Sequence, residues 1–481
     1  MRNRRSLLHA SAALLIAGGV LTGIGGSVAG AAATWGAPTT IRGLPQTAKA
    51  FGGTLGQLAC SGAGNCTVVG TFSNQAGHNQ LFSSTQTRGV WGTAKGLGGP
   101  GTAGAVTTLS CTSAGNCVLG GSVFLSNNTY AGFVARQTNG LWGATILVSD
   151  PGAVAVGLGA SYGVNQVACA GTTCAIVGND SAGGYVFTLT GATWTALQPL
   201  SGVSGVDPGT VTSASFVSCP TRGNCTAAGL YSVTATQTVG AFTMDQHNGV
   251  WGNPSELNGL TALNASTSAS SSVTALSCGA PGSCVVGGKY QFDHTAALYY
   301  VESYFATEIH GVWGSATEVP GTAGLNVHGV GFVTDASCTP DGGCTLIGEF
   351  SDAKSLSHAY VLHETNGVWG SARRMPAVAG ITGFYFSHVS CASVTRCVAV
   401  GSIGSQYGVR AVETGGVWGA AATYGLAAPN HAYYGNQLNA VRCTTRGYCV
   451  IAGTYRTSVE NMMGARPVPA RTSVYVESTQ I

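Results

Sequence analysis

The sequence predicts an all-β protein, a single eight-bladed β-propeller with four antiparallel strands and one disulfide per blade. Three observations predict it. All 16 cysteines of the 481-residue chain fall into eight close pairs, the pairs recur every 50 to 60 residues, and the eight tryptophans alternate with them. A period of that length with a hairpin-rich pattern is the signature of propeller blades.

The pairs are Cys60/Cys66, Cys111/Cys117, Cys169/Cys174, Cys219/Cys225, Cys278/Cys284, Cys338/Cys344, Cys391/Cys397 and Cys443/Cys449. The tryptophans are Trp35, Trp91, Trp142, Trp194, Trp251, Trp313, Trp369 and Trp418. In each unit an apolar run leads into the first cysteine, as in Ser272-Val273-Thr274-Ala275-Leu276-Ser277-Cys278. Four or five turn-type residues separate the two cysteines. A second strand then carries a glycine three or four positions after the second cysteine: Gly70, Gly120, Gly178, Gly229, Gly287, Gly348, Gly401 and Gly453. A third strand runs into a tight turn, several times Asn-Gly (Asn139-Gly140, Asn248-Gly249, Asn366-Gly367). That dipeptide between apolar segments favours a two-residue hairpin. A fourth strand begins at the tryptophan.

The ends argue for a closed ring over an open solenoid. The last unit reaches a third strand at Ser473-Val474-Tyr475-Val476-Glu477 with no tryptophan after it, while Trp35-Gly36 has no unit before it. Each end supplies what the other lacks, and closure would leave no half-blade with an exposed edge. A solenoid would want polar capping repeats at both ends.

Residues 1–33 read as an export signal, leaving 34–481 as the propeller. Arg2, Arg4 and Arg5 precede a largely apolar stretch from Leu7 to Ile24, and small residues follow at Ala29-Gly30-Ala31-Ala32-Ala33. The alternative is a membrane anchor; no second apolar run is long enough to span a bilayer. Arg4-Arg5-Ser6-Leu7-Leu8 also fits a twin-arginine signal, so export by the Sec or the twin-arginine route is expected, to the medium or the cell surface. Removing this segment takes three of the 20 basic residues and none of the 17 acidic ones, leaving a formally neutral chain. Neutrality and a charged fraction of only 8% argue against nucleic acid or anionic membrane as partners. A monomer is expected.

An even cysteine count in an exported chain reads as a disulfide framework. Each pair flanks one hairpin turn, and six units place a glycine two residues before the second cysteine (Gly64, Gly115, Gly223, Gly282, Gly342, Gly447), where a left-handed residue would close the loop. The cysteines are thus read as staples that pin the inner hairpin of each blade. Zinc is disfavoured by the spacing, and neither a metal nor any other cofactor is expected. One tryptophan at the same place in every unit reads as a packing wedge between blades rather than a ligand platform.

Cys284-Val285-Val286-Gly287-Gly288, the aromatic strand at Tyr299-Tyr300-Val301, Trp313 and Val319-Pro320-Gly321 together resemble the kelch repeat. The unit is also similar to repeats of secreted actinobacterial proteins with a Ser-Cys-x5-Cys-x3-Gly core. The resemblance implies a propeller and says nothing of activity, since propellers host unrelated functions. Only units two and five keep the kelch double glycine, at Gly120-Gly121 and Gly287-Gly288. The copper site of kelch-type oxidases needs an uncommitted cysteine, and here every cysteine is paired. The sialidase aspartate box is absent from the turns before the tryptophans.

For a site, the sequence offers two long, neighbouring loops that enter the inner strands of units seven and eight. One carries Phe384, Tyr385, Phe386 and His388; the other carries His431, Tyr433, Tyr434 and Asn436, with Asn439 and Arg442 close by. Aromatic rings and amides suit a glycan, a cell-envelope polymer or another uncharged polymer. Asp293 and His294, in the outgoing loop of unit five, could face the same side. No close carboxylate pair, nucleophile elbow or phosphate loop appears, so no catalytic residue is assigned. The expectation is an extracellular binding or structural propeller. The alternatives are a polysaccharide lyase or hydrolase with its site at the central channel, and a platform for an extracellular protein.

Overall fold

The computed structural model describes residues 33–481 except 45–52, 75–77, 99–101, 126–129, 149–162, 181–182, 201, 207–209, 234–237, 265–269, 294–298, 328, 379–380, 382, 405–406, 425–435 and 457–471. The segment 1–33 read as an export signal therefore lies, save its last residue, outside the described residues.

Eight separate antiparallel sheets form, one per cysteine pair. Numbering blades by their disulfides, blade 1 comprises Thr54–Gly62, Asn65–Ser73, Asn79–Thr87 and an outer strand in two pieces, Val90–Trp91 and Lys95–Leu97. The break was not expected from the sequence. The residue after the tryptophan still donates to the third strand, as Gly92 to the Thr85 carbonyl at 3.0 Å, Thr195 to that of Thr188 at 2.8 Å and Gly252 to that of Asp245 at 2.9 Å, and the outer strand parts beyond it. The inner strands are Thr54–Gly62, Thr102–Ser113, Gly163–Ala170, Thr210–Thr221, Ser271–Ala280, Gly331–Cys338, Tyr385–Ser393 and Gln437–Cys443. Each touches the next, and the first touches the last. These eight strands therefore ring a common axis.

The ring closes as the termini suggested. Thr39–Thr40 forms the outer strand of blade 8, with Thr39 opposite Val476 and Thr40 opposite Tyr475. Gly36 N–H donates to the Ser478 carbonyl and Ile41 N–H to that of Val474, both at 2.9 Å.

All eight expected disulfides form: Cys60–Cys66, Cys111–Cys117, Cys169–Cys174, Cys219–Cys225, Cys278–Cys284, Cys338–Cys344, Cys391–Cys397 and Cys443–Cys449, with Cα separations of 4.0–4.1 Å between cross-strand neighbours. The six predicted loop glycines are left-handed, with φ between 70° and 92°. Four of their carbonyls accept from the adjacent hairpin turn, as at Gly115 from Gly140 N–H at 2.8 Å. Disulfide loops and tight turns thus share one face.

The cysteines staple the hairpins as expected, and burial gives them a second role. Cys278 and Cys391, first members of their pairs, are buried. Cys66, Cys117, Cys174, Cys344, Cys397 and Cys449 are all buried, as are Cys225 and Cys284. These second cysteines begin the second strand, whose apolar run faces the neighbouring blade, so the sulfur is drawn into that interface. Cys66, Cys117, Cys174, Cys225, Cys344, Cys397 and Cys449 are each members of an apolar cluster between two blades. They are core residues as well as staples.

Each of the eight apolar clusters among the described residues spans one blade interface and carries one tryptophan at its margin. The indole reaches across the interface, as Trp251 Nε1 donates to Thr188 Oγ1 at 3.2 Å and Trp369 Nε1 to Thr307 Oγ1 at 2.9 Å. The wedge reading of the tryptophans holds.

The second-strand glycine is required because an inner-strand carbonyl, that of Thr54 at Gly70, Ser213 at Gly229 and Tyr385 at Gly401, occupies the place of a Cβ, and at Gly70 and Gly229 a third-strand ring lies over it as well. A Cβ would fall 2.8 Å from Phe82 at Gly70, and 2.9 Å from Phe242 at Gly229. Gly229→Ala should therefore cost about 1–3 kcal/mol as an overpacked core position. Chemical denaturation would show it as a lowered midpoint, whereas Gly96→Ala, which meets nothing within 4 Å, should leave it in place.

Candidate functional site

Every inner strand contains a bulge at the same place, opposite the step to the second-strand glycine. The extra residues are Gly56, Thr107, Asn165, Ser215, Thr274, Thr334, Ser387 and Asn439. A bulge re-aims the side chains around it, and here they reach the next blade. Asn165 Nδ2 donates to the Ala214 carbonyl at 2.6 Å, and Gln57 Nε2 to that of Thr107 at 2.9 Å.

Three residues after the bulge comes the serine that precedes the first cysteine. Its hydroxyl accepts the N–H of the next blade's first cysteine: Ser110 from Cys169 at 3.0 Å, Ser218 from Cys278 at 3.1 Å, Ser277 from Cys338 at 2.9 Å, Ser337 from Cys391 at 3.0 Å and Ser390 from Cys443 at 2.9 Å. The other blades carry Ala59, Ala168 and Arg442 there.

The position just after the bulge makes a second set of links. Val167 N–H donates to Thr108 Oγ1 at 2.8 Å, Val217 N–H to Gln166 Oε1 at 2.6 Å, and Val389 N–H to Asp335 Oδ2 at 3.0 Å. Blade 7 places His388 at this position. His388 Nδ1 lies 3.5 Å from Asp335 Oδ2, with side-chain exposures of 41% and 25%.

Arg442, two blades beyond Asp335, completes the group. Protein surrounds it, which lowers its hold on its proton, while the Asp335 carboxylate opposes that shift. It nonetheless keeps part of its surface open to solvent. Enclosed yet wet is the situation of a side chain at the axis. Its guanidinium donates to the Val441 carbonyl at 2.9 Å. A fork of five N–H groups has donors to spare.

The loop aromatics named from the sequence are placed differently from one another. Phe384 and Phe386 are buried in the interface between blades 6 and 7, in edge contact at 5.5 Å, and act as packing residues. Phe386 lies in the strand Tyr385–Ser393 and Phe384 immediately before it, and both face the core. Tyr385 is half-buried on the opposite face of the same strand, and His388 joins Asp335. Asn436 is buried, its Oδ1 without a partner. His431, Tyr433 and Tyr434 lie outside the described residues, as do His294 and the side chain of Asp293. Asp335 was missed. The signal for it was its place in the repeat, where Gln57, Thr108 and Gln166 stand in other units.

Fold and axis together define an eight-bladed propeller with a polar group of mixed charge on its inner strands. No protein-family model matches the chain, and neither does any curated protein. Among solved structures it is similar to an ulvan lyase at 11% identity (TM-score 0.44, 82% of this chain and 96% of that one). It is similar to the propeller domain of the trilobed protease of Pyrococcus furiosus at 8% identity (TM-score 0.40, 77% and 95%). It is also similar to the fucose-specific lectin of Aleuria aurantia at 14% identity (TM-score 0.30, 66% and 95%). Likenesses this remote carry nothing about the ligand, which is argued from the chain's own residues.

Asp335 links blades through its acceptor, not its charge. Asp335→Ala should cost about 1–3 kcal/mol by leaving Val389 N–H unpaired. Asp335→Gln, which installs the acceptor that blade 3 uses, should recover most of it. Denaturation midpoints of the two variants check this, and equal losses would refute it.

Proposed function

We propose that this chain is an exported, disulfide-stabilised propeller that binds an uncharged saccharide or similar hydroxyl-rich polymer at its axis, on the side of blades 6 to 8. One observation carries the reading: donors and acceptors of both kinds converge there from three consecutive blades. Arg442 offers N–H donors, Asp335 offers carboxylate acceptors, and His388 offers one of each in its neutral form. Their charges cancel, which suits hydroxyl groups that both donate and accept. Eight disulfides fit an oxidising compartment, and residues 1–33 are proposed as the signal that delivers the chain there.

A second reading has a specific observation behind it. A histidine beside a carboxylate is the arrangement of an oriented general base. His388 against Asp335 could serve a polysaccharide hydrolase or lyase at the same place.

The repeat itself supplies substitutions that should fold. Arg442→Ser installs the residue that five other blades carry, and His388→Gln installs that of blades 1 and 3. On an array of neutral glycans and cell-wall polymers, the wild type should bind and each variant should lose about tenfold or more, as expected for a buried polar pairing. No binding by the wild type refutes the saccharide reading. Products released by the wild type but not by His388→Gln would replace binding with catalysis.

A further inference from the structure

A row of buried polar side chains lines the blade interfaces on the disulfide face. On the third strand, the residue paired with the outer tryptophan is Gln86, Gln137, Leu189, Gln246, Glu308, Glu364 and Glu413 in blades 1 to 7. All are buried. Where it is glutamine, the amide donates to the adjacent turn carbonyl: Gln86 to Gly89 at 3.2 Å, Gln137 to Gly140 at 3.3 Å and Gln246 to Gly249 at 3.4 Å. In blades 2 and 4 the amide also donates to a threonine of the preceding blade, Gln137 to Thr85 at 3.3 Å and Gln246 to Thr188 at 3.1 Å. The amide NH2 is what satisfies both acceptors.

Blade 5 removes that donor and adds charge. Glu308 replaces the glutamine, and the preceding blade presents Asp245 where the threonines stood. Glu308 is 1% exposed, and no donor reaches either of its carboxyl oxygens. Asp245 Oδ1 accepts from Thr226 Oγ1 at 2.6 Å. Both acids line one cavity of about 10 Å³ with Thr226, Asn224 and the exposed His247. That is room for a single water or ion. Elsewhere in the row a basic partner is supplied: Glu413 lies 3.0 Å from His363 Nε2. Among the described residues, neither Asp245 nor Glu308 has such an ion pair.

We propose that the Asp245–Glu308 cavity is a site for a hard divalent cation, calcium by preference, which joins blades 4 and 5. Oxygen is the dominant donor the cavity offers, and calcium takes carboxylate, hydroxyl, carbonyl and water oxygens in irregular sets, where magnesium demands a near-ideal octahedron. A zinc-type site does not fit, since among the described residues no three His, Cys, Asp or Glu side chains are placed to hold one metal ion, and His247, although it lines the cavity, is exposed.

Burial, then the Asp245 charge, push the Glu308 carboxyl up to about 7 from 4.5. The folded state thus holds this proton more tightly than the unfolded chain. Without calcium, the stability tied to the proton is fully present below about pH 4.5 and is lost as pH rises through about 7. Asp245 and His247 are the other titratable groups facing the cavity.

The test is a calorimetric titration of the disulfide-intact chain with CaCl2 at pH 8, with MgCl2 in parallel and Glu308→Gln beside the wild type. Glutamine is the residue of blades 1, 2 and 4, so this variant keeps the fold. The wild type should bind one calcium per chain with Kd about 10⁻⁴–10⁻³ M, and Glu308→Gln none. Its melting temperature at pH 8 should rise with calcium, while that of Glu308→Gln should not. Absence of calcium binding by the wild type, equal binding by both proteins, or magnesium binding as tightly as calcium would each overturn the proposal.

Discussion

The inner strand of a propeller blade has one edge with no neighbour in its own sheet, and satisfying that edge organises the rest of this molecule. Unpaired backbone N–H groups in a partly enclosed setting cost about as much as a lost hydrogen bond. This chain meets the cost with side chains of the preceding blade. The serine before each first cysteine caps the N–H of the next blade's cysteine in five interfaces, and Thr108, Gln166 and Asp335 cap the valine two residues before it in three. Blades cannot slide past one another without breaking these bonds. The bulge, the serine and the cysteine are therefore parts of one device. The disulfide holds the hairpin on which it is mounted, and its buried second sulfur ties that hairpin to the interface core.

What was legible in the sequence was whatever the device repeats. Cysteines, tryptophans, second-strand glycines and left-handed loop glycines answer local demands of the backbone or of one interface, so they recur with the blade. The termini were legible for the same reason, since a missing strand stands out against seven complete units. The bulge was not. Its residue ranges from Gly56 to Thr107 to Asn165, because a bulge asks for a backbone shape and, away from the left-handed region, many residues comply. Without the bulge the facing of the inner strand cannot be assigned, because one residue of slip exchanges its two faces. That is why Phe384 and Phe386 looked like a loop platform although they lie in an interface core.

The same ambiguity hid Asp335 and left Arg442 as a mere neighbour of the loop aromatics. Both become informative only when each position is compared with its counterparts in other blades. Arg442 stands where a serine caps its neighbour in five other blades, and His388 stands where Gln57, Thr108, Gln166 and Asp335 stand in four others. Glu308 and Asp245 stand where a neutral glutamine and threonine meet. None of these changes alters the backbone around it, so none is required by the fold. In a repeat protein this comparison separates the architectural residue from the one that answers to something else.

Placement on such a scaffold has a consequence for binding. Asp335 accepts Val389 N–H, and Val389 follows His388 directly, so the bond that aligns blades 6 and 7 also sets the distance between the two side chains. Arg442 is fixed from the far side by the disulfide that begins at Cys443. Groups held by inter-blade bonds lose little freedom when a ligand arrives, and a site on rigid strands keeps its geometry better than one on loops.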